Sequence, residues 1–178
     1  MLLQNGINTI VSNMVTRNSG SNGALPIVDV NNNTKYAVAR TSSTGYSWPA
    51  YKYGSVSTSK TSDGIVLGSG NTPVTLADHD LDARITSGLS CSVVETNGVD
   101  GNGVPYLNYD ITCTNTSSDS ITIAEIGLQQ NVLGTNTQGQ SSGGSSYHVL
   151  VERTVLDTPV TIAAGDYETI RYQIKASW

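Results

Sequence analysis

The sequence predicts an all-β fold, an antiparallel β-sandwich of jelly-roll-like type, and three observations lead to this prediction. Only 37% of the residues are hydrophobic, which is below the usual share for a globular chain, and glycine is frequent at 18 copies. From residue 64 onward, about seven short segments read as strands separated by turn residues. No stretch has the pattern of a long amphipathic helix. Short strands with polar turns at regular spacing are typical of sandwiches and jelly rolls.

The N-terminal part, residues 1–63, is predicted to be an arm followed by an aromatic strand region that makes docking or oligomer contacts. Four apolar residues recur at helical or heptad-like spacing: Leu3, Ile7, Ile10 and Met14. Gly and Asn between them weaken a helix. Two interpretations stay open, namely a loose arm or irregular strand, and a short amphipathic helix that packs on a partner subunit. The stretch "NSGSNG", residues 18–23, is a flexible break.

The next stretch reads as short strands, "LPIVDV" and "KYAVAR", followed by the aromatic segment "YSWPAYKYGSVS". This segment holds four large aromatic residues, Tyr46, Trp48, Tyr51 and Tyr53. Tyrosine and tryptophan serve both cores and interfaces, because an apolar ring carries a polar group. The aromatic residues are therefore predicted either to pack in a core or to contact a partner or ligand.

Residues 64–178 are predicted to form the β-sandwich domain. The stretch "GIVLGSG" is a strand that ends in a glycine turn. In "TPVTLADHDLDARI", Thr75 stands three residues before Asp78, which resembles a capping box and predicts one short helical turn near residues 75–83. "GLSCSVVET" and "YLNYDITCTN" alternate around a glycine-rich hairpin loop.

The C-terminal third reads as further strands. "ITIAEIGLQQNVL" is the most apolar of them, and residues 134–146 form a low-complexity surface loop. "YHVLVERTVL" is the next strand, and two more strands flank the turn "AAGD". Glu125 and Arg153 lie in two of these strands, and two hypotheses stay open: an ion pair across the sheet, or two independent rim charges.

Cys91 and Cys113 are predicted to face inward on adjacent strands, as neighbours across a hairpin. The N-terminus lacks the features of a secretory signal, so the chain is expected to begin in a cytoplasm. Cytoplasmic cysteines stay reduced, and buried free thiols behave as small hydrophobic groups. The sequence therefore predicts two free, buried cysteines.

Charge and hydropathy exclude two classes of partner. The net charge is −5, the pI is near 4.7, and no basic run exists that could neutralise phosphates. Nucleic acid is therefore not an expected partner. No apolar run approaches the roughly 20 residues that a membrane-spanning helix needs, so no membrane partner is expected.

The stretch "GSGNTP" after the strand does not fit a phosphate site. It has no lysine, and Pro73 removes an amide donor that a phosphate loop would use. The neighbouring polar residues Asp78, His79, Asp80 and Asp82 could in principle bind a metal. Only residues three or four apart converge on a helical turn, and Asp78 and Asp82 have no third ligand beside them. Acids at the start of a helical turn, stabilised by its dipole, are the preferred interpretation.

Three further motifs also fail as sites. Asp29, Asn31 and Asn33 begin like a calcium-binding loop, but Thr34 and Arg40 occupy the positions of the required Gly and Glu. "GQSSG", residues 139–143, matches a nucleophile elbow inside a Gly/Ser-rich tract, without the strand and helix that the elbow needs, and His148 is not oriented by any pattern. The acids are too scattered to single out a glycosidase pair. No catalytic, cofactor-binding or metal-binding residue is predicted, and the chain is not expected to be an enzyme.

Four stretches resemble a group of tailed-bacteriophage virion structural proteins. They are "GIVLGSGNTPVTLADHDL", "YDITCTNTSSDSITIAEIGL", "LVERTVLDTPVTIAAGD" and the closing "IRYQI", and together they cover roughly residues 64–178. Their order is similar to the family's G-x-G turn, E-I-G-L strand and R-x-V-L-x-x-P-V pattern. The resemblance implies a subunit of the tail, neck or capsid, and it implies no catalytic residue.

The resemblance also implies partners and a location. The expected partners are other virion proteins and further copies of the chain, as a trimer or higher oligomer that docks through its N-terminal arm. The expected location is the virion, after synthesis in the host bacterial cytoplasm. Two alternatives stay open. One is a carbohydrate- or receptor-binding module of a phage fibre, in which Trp48, Tyr51 and Tyr53 stack on a host-surface glycan. The other is a capsid decoration protein.

Overall fold

The computed structural model describes Gln4 and residues 25–37, 55–136 and 145–175. The four aromatic residues Tyr46, Trp48, Tyr51 and Tyr53 and nearly all of the predicted N-terminal arm lie outside these residues. The prediction of an arm is therefore neither confirmed nor contradicted.

Two antiparallel sheets make up the described residues, which confirms the predicted all-β, sandwich-like fold. The strands are β1 Pro26–Val28, β2 Thr34–Ala37, β3 Gly64–Gly68, β4 Leu89–Val99, β5 Pro105–Asn115, β6 Ile121–Thr135, β7 Ser145–Ile162 and β8 Tyr167–Lys175. In the five-stranded sheet, β6 pairs with β7 on one side and with β3 and β2 on the other, and β1 pairs with β2. The second sheet has the order β4-β5-β8. The long strand β6 is thus the centre of the larger sheet.

The core lies between the two sheets. Alternate residues of β3 and β6, among them Ile65, Leu67 and Ile126, are buried against Tyr109 and Ile111 of β5. Full burial of such a side chain stabilises the fold by about 1.5–3 kcal/mol. The inward faces predicted for the two alternating strands are confirmed. The β1–β2 hairpin contributes to the same sheet and core, although it lies before residue 64.

The cysteines are neighbours across the β4–β5 hairpin as predicted, but the prediction of free thiols is wrong. Cys91 and Cys113 stand directly opposite each other in the ladder, with their Cα atoms 4.1 Å apart, and form a disulfide. The free-thiol prediction rested on a reducing compartment, whereas the strand register places the two sulfur atoms within bonding distance.

The segment between β3 and β4, residues 69–88, crosses the outer face of the five-stranded sheet, and we call it the strap. The prediction of a helical turn near residues 75–83 is wrong, because the strap consists of turns, bends and irregular backbone, with one isolated bridge from Arg84 to Gly68. Leu81 of the strap is only 6% exposed and packs on Val66 and Leu150. Val66 points away from the main core, since its neighbours Ile65 and Leu67 point into it. The strap therefore closes a second, smaller core.

Strand β7 replaces two strands that the sequence predicted separately. It runs without a break from Ser145 to Ile162, and its register against β6 shifts between the pairs Ile123↔Val160 and Glu125↔Val155. The extra residues form a bulge around "LDTP", where Pro159 lies. The bulge accounts for the break in the sequence pattern, because it accommodates the turn-like residues without ending the strand.

Candidate functional site

A buried carboxylate on the outer face of β6 organises the strap. The Glu125 side chain is fully buried and accepts hydrogen bonds with both oxygens. Its Oε1 accepts from the backbone N–H of Gly70 at 3.1 Å and of Ala83 at 2.8 Å. Its Oε2 accepts from the N–H of Asp82 at 3.1 Å and from Nε of Arg153 at 2.7 Å. One side chain therefore holds both ends of the Gly70–Ala83 loop.

Arg153 completes this buried pair, so of the two hypotheses for Glu125 and Arg153 the structure shows the ion pair and not two independent rim charges. Its side chain is 2% exposed, and Nη1 donates to Oδ2 of Asp78 at 2.6 Å. Nη2 donates to the backbone oxygen and Oγ1 of Thr72, both at 3.3 Å. Burial lowers the pKa of Arg153, but the hydrogen bonds to Asp78 and Glu125 outweigh burial and raise the pKa above its ordinary value. The guanidinium thus stays charged and joins β6, β7 and the strap.

The two glycines of the G-x-G turn make room for this carboxylate. A Cβ atom at Gly68 would lie 2.7 Å from Cγ of Glu125 and 2.8 Å from the backbone oxygen of Ala83. A Cβ atom at Gly70 would lie 2.5 Å from Cβ of Asp82. Only glycine allows so close an approach of backbone to side chain. The Gly70 amide that a phosphate would need is bound by Glu125.

The capping contact predicted between Thr75 and Asp78 exists without a helix. Asp78 accepts from the backbone N–H of Thr75 at 3.2 Å and from its Oγ1 at 2.7 Å. The same carboxylate also accepts from Arg153. Asp78 therefore fixes a turn of the strap and connects that turn to the buried cluster.

A second polar group holds the strap further along β6, and sequence reasoning missed it. Arg84 donates from Nη2 to Oε1 of Gln129 at 2.6 Å and from Nε to Oδ1 of Asp80 at 3.1 Å. Asp80 also pairs with Lys60 at 2.6 Å. Gln129 lies on the same face of β6 as Glu125, four residues on, so strand alternation from Glu125 was the signal that could have found it.

The acids of the strap point to different partners. Asp78 binds Arg153, Asp80 binds Lys60 and Arg84, and Asp82 contributes its backbone N–H to Glu125. Within the described part of the chain, no three His, Cys, Asp or Glu side chains come together as a metal site. The arrangement therefore binds the strap to the sheet.

The remaining candidate residues are the Asp29 loop, the "GQSSG" stretch and His148. Asp29 accepts at Oδ1 from the backbone N–H groups of Asn31 at 2.9 Å and Asn33 at 2.8 Å, so its carboxylate closes its own turn. Ser141 of "GQSSG" lies outside the described residues. His148 has Nε2 3.4 Å from Oδ1 of Asp63.

One buried polar contact crosses the core between the sheets. The hydroxyl of Tyr172 on β8 donates to Oε2 of Glu152 on β7, and Thr154 donates to Oε1 at 2.8 Å. Burial, together with the nearby Glu152 charge, raises the pKa of Tyr172. Glu152 precedes Arg153 but faces the opposite side of the sheet, because adjacent strand residues alternate. The contact connects the two sheets.

Gly127→Ala is expected to destabilise the fold by about 1–3 kcal/mol, because overpacking forces neighbours to move. A Cβ atom at Gly127 would lie 2.7 Å from Cδ1 of Leu150 and 3.0 Å from Cδ2 of Leu81. Urea denaturation measures the loss. Gly101→Ala is the matched control, since nothing lies within 4 Å of its Cβ position, and equal losses in both variants would contradict the prediction.

Stability is expected to fall as the pH drops below about 4. Burial raises the pKa of Asp80, but hydrogen bonds from Lys60 and Arg84 outweigh it and lower the pKa below its ordinary value. A carboxyl with a lowered pKa contributes stability above its unfolded pKa and loses it as the pH falls through the folded value. Melting temperatures from pH 7 to pH 2 test this. The Asp80→Asn variant should have a lower melting temperature than the parent at pH 7, and the two melting temperatures should converge near pH 2. A difference in melting temperature that stays constant with pH would contradict the prediction.

Comparisons with known proteins found no relative of this chain. No family model, curated protein or solved structure matches the chain. Among the described residues, no helix is long and apolar enough to cross a membrane.

Proposed function

We propose that this chain is a structural subunit of a tailed-bacteriophage virion, present in repeated copies on the tail, neck or capsid. Its N-terminal residues act as the docking arm, and the β-sandwich is the module that the particle displays. Other virion proteins are its partners. The chain contributes contacts and rigidity to the particle and carries out no chemistry.

The convergence of the motifs at one buried cluster carries this proposal. Gly68, Gly70, Asp78, Glu125 and Arg153 come from three separate stretches that resemble the phage family, and all five meet within the Glu125–Arg153 cluster. These residues specify how the strap lies on the sheet. A pattern of residues that defines a fold is what a family of structural subunits is expected to share, since such subunits need a shape more than a reaction.

The disulfide is also compatible with a virion. Cys91 and Cys113 form a bond that a reducing cytoplasm disfavours. A virion subunit is synthesised inside the cell and spends its later life outside it, after lysis. The same chain can therefore exist first as a dithiol and later as a disulfide.

Purified particles of the phage or prophage that encodes the chain provide the test. Mass spectrometry of gradient-purified particles should detect the chain, and antibody labelling in the electron microscope should locate it on the tail, neck or capsid. A chain that is abundant in the lysate but absent from the particles would overturn the proposal.

A variant that lacks residues 1–17 tests the docking arm separately. The variant loses the hydrogen bond from the Gln4 N–H to the backbone oxygen of Leu76 at 3.0 Å, so its melting temperature is expected to fall only slightly, and the variant is expected to be lost from particles. The full-length chain, supplied in the same way, is the control and should be incorporated. If the truncated chain is incorporated as well as the full-length chain, docking does not depend on the arm.

A further inference from the structure

Strand β4 is an edge strand without the features that usually prevent edges from pairing. Within the described residues it pairs only with β5, over all eleven residues from Leu89 to Val99 and without a register shift. It contains no proline and no lysine or arginine, and Glu95 is its only charged residue. Natural sheets protect long edges with charges, prolines, bulges or covering segments.

The other sheet edges have such protection. β1 is three residues long and begins with Pro26, and β7 contains a bulge and Pro159. Residues 55–57 cover β3 through backbone hydrogen bonds at Ile65. β8 carries three charged residues, Glu168, Arg171 and Lys175. β4 is therefore the exception among the described edges.

The backbone groups on the free edge of β4 can be identified from its pairing with β5. The Cα atoms of Cys91 and Cys113 are 4.1 Å apart, the short spacing of a non-hydrogen-bonded pair. The hydrogen bonds just beyond the two ends of β4 support the same assignment. At one end the Thr116 N–H donates to the oxygen of Gly88, and at the other end the Asp100 N–H donates to the oxygen of Val104, so both bonds involve even-numbered residues. Even-numbered residues thus bond to β5. The N–H and C=O groups of the odd-numbered residues, from Leu89 to Val99, point to the free edge.

We propose that the free edge of β4 binds the β4 edge of a second copy of this chain, antiparallel and around a two-fold axis. Two three-stranded sheets then become one sheet of six strands. With full overlap of the eleven residues, Val94 meets its own copy at the axis. The six odd-numbered residues of each copy then exchange about twelve backbone hydrogen bonds.

The residues on β4 suit a second copy. Val94 is 60% exposed, and at the axis it contacts Val94 of the other copy in a close, non-hydrogen-bonded pair. Glu95 then lies opposite Val93 of the other copy, so no like charges face each other. Ser92 lies opposite Thr96 of the other copy on the same outer face. The contact is self-complementary, as a two-fold interface requires.

Charge complementation at Val94 tests the proposal on the full chain. In sedimentation velocity across a dilution series, the parent is expected to dimerise. Val94→Lys and Val94→Glu should each weaken dimerisation about tenfold or more, because two like charges meet at the axis. An equimolar mixture of the two variants should dimerise again, which a folding defect could not produce. Tyr167→Lys is the matched control, because Tyr167 is similarly exposed (69%) but lies on β8, at the opposite edge of the three-stranded sheet, and this variant should dimerise like the parent.

Three outcomes would overturn the proposal. The parent stays monomeric throughout the series, Val94→Lys associates like the parent, or the mixture of the charged variants stays monomeric. The inference does not depend on the proposed function. A chain that dimerises through β4 but is absent from particles overturns only the virion assignment.

Discussion

Glu125→Ala is expected to lower the free energy of unfolding by about 3–5 kcal/mol, which would be the largest effect of any single substitution considered for this protein. The substitution leaves the Arg153 guanidinium buried at 2% exposure without its Nε partner. It also removes the acceptor of three strap N–H groups, those of Gly70, Asp82 and Ala83. An unpaired buried charge and unsatisfied buried donors are both costly, so the two losses act in the same direction.

The exposed ion pair between Asp110 and Arg171 provides a matched control. Its N–O distance is 2.6 Å, similar to the 2.7 Å of the buried pair, but the Arg171 side chain is 65% exposed. Asp110→Ala is therefore expected to lower the free energy of unfolding far less than Glu125→Ala does, because water screens an exposed pair. Urea denaturation compares the variants, and equal losses would show that burial does not govern the cost.

The strap supplies a local readout of the same substitution. In Glu125→Ala, the amides of Gly70 and Ala83 are expected to exchange with solvent faster than in the parent, because both lose their acceptor. The exchange rates of amides in the β4–β5 ladder should rise only as far as the loss of global stability requires. Uniform acceleration throughout the sheets would mean that Glu125 stabilises the fold as a whole and does not specifically hold the strap.

Local patterns made part of this structure predictable. Alternation identified the inward faces of β4 and β5. For Glu125 and Arg153 the sequence left an ion pair and two independent rim charges open, and only the strand pairing of the structure decides for the ion pair. The strap was harder to predict, because its acids resemble the first turn of a helix. Asp78 and Asp80 are instead neutralised by Arg153 and Lys60, which lie far from them in the sequence. Long-range partners of this kind leave no periodic signal.

The cysteines show a different limit of prediction. Their position opposite each other followed from alternation and the hairpin, whereas their oxidation did not follow from any pattern in the chain. The free-thiol prediction depends on a reducing cytoplasm, which the lack of secretory-signal features in the N-terminal sequence indicates. Register decides whether two cysteines can bond, and the redox environment decides whether they do.

Reduction of the Cys91–Cys113 disulfide is expected to lower the free energy of unfolding by about 3 kcal/mol, because the bond closes a loop of 22 residues in the unfolded chain. Denaturation with and without a thiol reductant measures the difference. The double variant Cys91→Ala/Cys113→Ala is the control, and its stability should not respond to the reductant. A parent chain with the same stability in both conditions would contradict the prediction.

The redox state of the same two cysteines tests the proposal that the chain is made in the cytoplasm and later released in a particle. If the chain is a virion subunit, thiol trapping in intact host cells should alkylate Cys91 and Cys113, because the cytoplasm keeps them reduced. In released particles the two cysteines should resist alkylation until a reductant is added. The released form should then be more stable than the newly made form by the full contribution of the disulfide. Complete oxidation inside the cell would contradict this order of events, and free thiols in released particles would show that the bond has no part in the mature subunit.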